Sequence, residues 1–150
     1  MNQTTQSVHT TKPVRHHLHA TIDKYMSPAP HTIGRKQSMA RAHEVMREHG
    51  IRHLPVLDGG RLVGIVSDRD LHLVETLKDV DPKVVTVDEA MTADPYVVQP
   101  QAKLGETVSE MARKKLGSAV VVENNHVVGI FTVIDAMHAL AWVLELAGDD

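Results

Sequence analysis

Two stretches of the chain share one pattern of apolar and polar positions. In GIRHLPVLDGGRLVGIVSDRD, Gly50 to Asp70, an apolar run meets the polar turn Asp58, Gly59, Gly60, and a second apolar run leads into Ser67 and Asp70. LGSAVVVENNHVVGIFTVID, Leu116 to Asp135, repeats the order with Glu123, Asn124, Asn125 as the turn and Thr132 and Asp135 at the end. Each stretch predicts a β-hairpin feeding a helix N-terminus. One constant offset carries Asp23 onto Asp88, Met26 onto Met91, Pro30 onto Pro95, Met46 onto Met111 and Asp70 onto Asp135, without a gap between residues 22 and 71. A repeat unit of this size cannot bury its apolar face alone, so the two copies are expected to form one domain.

The same patterning predicts the remaining elements. Ile22 to Met26 reads as a helical turn, ended by the prolines of Ser27 to Pro30, and His31, Thr32 and Ile33 as a short strand. Ser38 caps a helix to about His49, with Met39, Ala42, Val45 and Met46 at helical spacing and Gly50 just past its end. His53 to Leu57 and Leu62 to Val66 are the hairpin strands, with Pro55 limiting how the first can pair, and a helix from Ser67 runs toward Lys78. Asp79 to Pro82 breaks the chain. The second copy then offers a turn near Asp88 to Met91, strand Tyr96 to Val98, a helix carrying Leu104, Val108 and Met111 and ending near Gly117, and strands Ala119 to Val122 and Val127 to Phe131. A last helix begins at Thr132. Its apolar face of Met137, Leu140, Ala141, Leu144 and Trp142 suits either a partner subunit or the chain's own core. The organisation is thus a mobile arm over residues 1–20, one copy over 21–80 and another over 84–147.

Composition narrows the picture. With 150 residues, 42% apolar, the chain can bury a substantial core, and at 3% aromatic content that core must be aliphatic, as in an α/β layering. A net charge of −3 gives no general attraction to nucleic acid or anionic membrane, so neither is expected as a partner. There is no cysteine, hence no disulfide and no thiolate catalysis, and cytoplasm is the expected location. The stretch from Ala136 to Ala147, broken by His138 and Glu145, is too short to span a bilayer, and the polar N-terminus lacks the apolar core of a secretory signal. His16, His17 and His19 lie in the arm, where solvated histidines are the expectation, and no metal ligands are assigned. With no P-loop, no HExxH and no triad spacing, an enzyme is not expected.

The order strand, helix, strand, strand, helix, used twice, with LPV before the first hairpin and GIVSDRD or GIFTVID after each, resembles the cystathionine β-synthase (CBS) domain family over about residues 20 to 145. The resemblance implies an α/β fold of two β-α-β-β-α repeats in a pseudo-two-fold CBS-pair (Bateman) module. It also implies clefts that take adenosine nucleotides or other adenosyl ligands, with AMP, ADP or ATP the expected ligands and no required cofactor. Stand-alone pairs of this length are similar to bacterial regulatory proteins such as the AcuB-like group, and paired modules of the family usually form homodimers.

Carried onto this chain, the resemblance makes Asp70 and Asp135 the ribose carboxylates, and an ionised carboxylate accepts short bonds from diol hydroxyls. Ser67 and Thr132 fall where helix N–H groups favour a phosphate. Thr32, Ile33, Gly50 and Ile51 of one copy, with Pro55 beside them, and Val97, Val98, Gly117, Ser118 and Ala119 of the other, supply the adenine walls. Arg52, His53 and Arg69 make copy one the cationic side, because Gly117, Ser118 and Ile134 stand at the matching places of copy two. Each assignment has a plainer counterpart. Ser or Thr with Asp three positions on is also a capping box, Arg52 and Arg69 are also surface charges, and Lys114 and Lys115 read as a solvated helix face. Two functions follow: a small-molecule sensor signalling to an unknown regulated protein, or a ligand-independent oligomerisation or protein-interaction module.

Overall fold

The structure, a computed structural model, describes residues 19–148. Most of the arm expected over residues 1–20, with His16 and His17, lies outside the described residues. In chain order the elements are β1 (Ser27–Pro28), β2 (Ile33–Gly34), α1 (Met39–His49), β3 (His53–Asp58), β4 (Arg61–Ser67) and α2 (Asp68–Glu75). The second copy gives β5 (Thr92–Ala93), β6 (Val97–Val98), α3 (Leu104–Lys114), β7 (Ser118–Glu123), β8 (His126–Thr132) and α4 (Val133–Gly148). This is the α/β repeat that the sequence predicts, with β1 and β5 as strands that it does not predict, β2 at Ile33–Gly34 instead of His31 to Ile33, and two helices that end early. Helix α2 stops at Glu75, where the Thr76 hydroxyl donates back to the Leu73 carbonyl at 2.7 Å and the Thr76 N–H is shared between His72 O and Leu73 O, at 3.2 and 3.3 Å. Helix α3 stops before Gly117, since Lys115 takes the left-handed conformation at its C-cap, φ 56°.

The hairpins close as the turn residues require. A two-residue loop with both φ values positive matches the twist of the flanking strands. Gly59 and Gly60 adopt 55° and 83°, and Asn124 and Asn125 reach 51° and 62° in the second copy.

The copies do not fold side by side as closed units. Each four-stranded sheet takes three strands from one copy and a two-residue strand from the other, in the orders β2-β3-β4-β5 and β1-β8-β7-β6. Ser27 pairs with Ile130 and Pro28 with Gly129, while Thr92 pairs with Ile65 and Ala93 with Gly64. The 3-10 turns before these strands are exchanged with them. Ile22, fully buried, packs with Val98, Met111, Ala119, Val121 and Phe131 of copy two, and Val87 packs with Met39, Leu54, Val56 and Leu71 of copy one. Main-chain bonds fasten both: Ile22 N–H donates to Ala102 O and Val87 N–H to Gln37 O, at 2.9 and 2.8 Å.

This exchange explains two strand glycines. A Cβ at Gly64 would meet Met91, and one at Gly129 would meet Met26, each a methionine from the other copy's turn. Helix α4 packs through Ala136 and Ala139 and leaves Met137, Leu140 and Leu144 at least half exposed, so its most apolar face does not serve the chain's own core. No described helix is long and apolar enough to cross a membrane.

Candidate functional site

The corner between β4 and α2 is built by Ser67. Its backbone is extended, φ −105° and ψ 160°, and its hydroxyl accepts from Asp70 N–H at 3.1 Å while Asp70 Oδ2 accepts from Ser67 N–H at 2.8 Å. The capping box is therefore real. It also fixes the carboxylate at the rim of a cavity of about 540 Å³, a size suited to a small ligand.

That cavity lies between the copies. Copy one lines it with Arg52, His53, Ile65, Ser67, Asp68, Arg69 and Asp70. The opposite wall comes from copy two: Thr92, Asp94, Pro95 and Tyr96 from the β5–β6 segment, and Lys115, Leu116, Gly117 and Ser118 from the turn after α3. The walls touch closely, since a Cβ on Gly117 would lie 3.1 Å from His53 Nε2. Burial holds the His53 pKa below that of a free imidazole, the Asp70 carboxylate opposes this, and the Arg52 guanidinium adds to it. Arg52, Arg69 and Lys115 bring three cations to the cavity, against Asp68, Asp70 and Asp94.

Seven of the residues assigned from sequence thus meet at one cavity: Arg52, His53, Ser67, Arg69, Asp70, Gly117 and Ser118. Others lie elsewhere. Gly50 and Ile51 line a second, more open depression of about 410 Å³ beside α1. Pro55 and Ala119 are wholly buried within β3 and β7, and Ile33 and Val98 face the two cores, so these four offer a ligand little side-chain surface. Thr32 and Val97 are exposed. Thr132 and Asp135 form the equivalent corner of copy two, with Asp135 Oδ2 accepting from Thr132 N–H at 2.8 Å.

The two carboxylates differ in what remains unused. Asp135 Oδ1 also accepts from the Ser27 hydroxyl, at 3.3 Å, so both of its oxygens are engaged. Asp70 accepts through Oδ2 alone among the described hydrogen bonds. Sequence reasoning also passed over cavity residues of the far wall. Lys115, read as helix surface, lines the cavity, whereas Lys114 does pair along the helix, 2.7 Å from Glu110.

Known proteins share this fold. The CBS domain family model matches residues 22–74 and 77–141. An inosine-5'-monophosphate dehydrogenase from Korarchaeum cryptofilum is 36% identical over 108 residues, 71% of this chain but 21% of that enzyme. Hypoxic response protein 1 of Mycobacterium tuberculosis is 30% identical over 104 residues, covering 69% of this chain and 73% of the relative. Among solved structures, the AcuB protein of Vibrio cholerae is 32% identical with a TM-score of 0.76, covering 89% of this chain and 98% of that one. CBSX2, solved in complex with AMP, is 26% identical with a TM-score of 0.71 over 82% of this chain and 97% of its own. The CBS pair of MJ0100, in complex with 5'-methylthioadenosine and S-adenosyl-L-methionine, is 26% identical with a TM-score of 0.71 over 81% and 99%. With its repeats, exchanged turns and paired capping corners, the chain belongs to the CBS domain family, as a tandem pair.

Proposed function

We propose that this chain is a regulatory small-molecule sensor, not a catalyst, and that it binds an adenine nucleotide, AMP, ADP or ATP, in the cavity between its copies. The observation that carries the reading is the convergence of one incompletely used carboxylate, Asp70, with Arg52, Arg69 and Lys115 in a single cavity. Asp70 accepts a ribose hydroxyl, and the cations take the phosphates. The AMP complex of CBSX2 and the adenosyl complex of MJ0100 support the ligand class. A ligand that contacts both walls changes how the copies pack, and only a ligand with different affinity for two packings can signal.

The exposed apolar residues of α4, among them Ile134 at 59% and Leu144 at 61%, favour a homodimer through that helix, whose arrangement a regulated cytoplasmic partner would read. They also favour the second reading, a ligand-independent oligomerisation or interaction module. Calorimetry and thermal shift with AMP, ADP, ATP and adenosine separate the two. The sensor requires binding that Asp70→Ala abolishes and Asp135→Ala leaves largely intact. It also requires Arg52→Ala to weaken ADP or ATP by about 1.5 to 3 kcal/mol, roughly ten- to hundredfold, with adenosine little changed. No response to any adenosyl compound leaves the interaction module.

A further inference from the structure

The packing of α1 against α2 gathers a second set of titratable side chains. Asp68, His72 and Glu75 follow one another along one face of α2, because residues three and four apart on a helix are neighbours. His43 reaches them from α1. Asp68 is anchored by its own N–H, which donates to Arg52 O at 2.9 Å.

The hydrogen bonding around His43 sets its tautomer. His43 Nε2 lies 2.5 Å from Glu75 Oε1. A carboxylate can only accept, so the neutral ring carries its proton on Nε2 and presents a lone pair at Nδ1. That Nδ1 is 3.8 Å from Asp68 Oδ1, and His72 Nδ1 is 3.5 Å from the same oxygen. Neither separation makes a good hydrogen bond. Both are near the edge of about 3.4 Å between ligands of a tetrahedral cation with bonds of about 2.0 to 2.1 Å. Ligand atoms of His43, Asp68 and His72 all lie within 4.8 Å of one another. Glu75 stands where a carboxylate orients a metal-bound histidine in established sites.

We propose that His43, Asp68 and His72 form a binding site for a borderline divalent transition cation of the Zn²⁺ class, with Glu75 as the positioning residue for His43. Two imidazoles and one carboxylate suit such a cation better than Mg²⁺ or Ca²⁺, which prefer all-oxygen sites. The cluster borders the open depression of about 410 Å³, so water or a small anion completes the coordination. His43 and Glu75 side chains are 22% exposed and His72 is 64% exposed, so a partly buried half is preformed and an exposed ligand closes it. A bound cation cross-links α1 to α2 next to the Ser67 corner. The site does not depend on the nucleotide reading.

The test is calorimetry and thermal melting of the full chain with ZnCl₂. The arm histidines compete for metal, so it is run on a His16→Ala, His17→Ala, His19→Ala background. One Zn²⁺ per chain is expected, raising Tm by about 5 to 10 °C at a hundredfold excess over Kd, with no comparable response to MgCl₂. His72→Ala removes this binding while leaving the metal-free Tm unchanged, because the side chain is exposed. Asp68→Asn is the second variant, keeping the side-chain shape. Glu75→Gln weakens Zn²⁺ roughly 10- to 100-fold and shifts the visible bands of the Co²⁺-substituted protein. Loss of all Zn²⁺ binding with the arm histidines overturns the proposal, as does parental affinity in either His72→Ala or Asp68→Asn.

Discussion

Replacing Gly64 with alanine tests the exchange of segments that defines this fold. A Cβ there would lie 2.6 Å from Met91 Sδ and 2.9 Å from the Thr92 carbonyl oxygen. The methionine tip can swing away, but the Thr92 carbonyl belongs to β5, whose ladder with β4 closes the sheet. At Gly129 the nearest atoms all belong to the Met26 side chain, which has rotatable bonds to spare. Alanine also restricts the unfolded chain, which stabilises by about 0.4 to 1 kcal/mol where the native backbone tolerates it. Overpacking costs about 1 to 3 kcal/mol. At Gly64 the backbone clash dominates, for a net loss of about 1 to 2 kcal/mol; at Gly129 the two effects nearly cancel. In a chain of 150 residues each kcal/mol moves Tm by roughly 2 to 4 °C, so Gly64→Ala should melt about 3 to 6 °C lower and Gly129→Ala within about 2 °C of the parent. Urea unfolding at unchanged m-value gives the same comparison in free energy. Equal losses at the two sites, or the larger loss at Gly129, would refute the distinction between backbone and side-chain contact.

Two further outcomes concern the corner of copy one. Because burial lowers the His53 pKa, the unfolded chain takes up that proton first on acidification. The stability that His53 contributes in its neutral form is therefore intact above pH about 6.5 and is lost as pH falls from there through the folded pKa; His53→Gln should flatten this part of the pH profile in denaturant melts. Ser67→Ala removes the acceptor for Asp70 N–H and should cost about 1 kcal/mol in urea unfolding. A change below about 0.3 kcal/mol would mean that the cap is replaced by solvent.

Much of the fold is legible in the sequence because its signals are local. The Ser38 and Ser67 caps, the Gly59–Gly60 and Asn124–Asn125 turns and the four hairpin strands each follow from residues within a few positions of one another. The exchange of Ile22 and Val87 is not legible, for a reason inherent in the repeat. Copies with equivalent apolar residues at equivalent places bury as well crosswise as within themselves, and two-residue strands such as β1 and β5 carry no periodicity. The same blindness extends to the site. Asp70, Ser67 and Arg52 are found from the motif, but the wall facing them is supplied by Tyr96, Lys115 and Leu116, which come near only when one copy packs against the other.

The exchange also makes the two corners unequal, which the repeat by itself would not suggest. Ser27, in the segment that crosses to copy two, spends its hydroxyl on Asp135 Oδ1, whereas Thr92 stands at the equivalent place in copy one and makes no described bond to Asp70. A diol entering the second corner must share Asp135 Oδ1 with Ser27; one entering the first finds an oxygen not so engaged, with Arg52, Arg69 and Lys115 in the same cavity. Pseudo-symmetry of the fold therefore does not carry over to the chemistry. Ser27→Ala should make the corners more alike and strengthen any ligand response that depends on Asp135, so that part of the response survives Asp70→Ala. Calorimetry of Ser27→Ala with and without Asp70→Ala reads this directly, and a response that Asp70→Ala still abolishes completely would show that the Ser27 bond is not what separates the two corners.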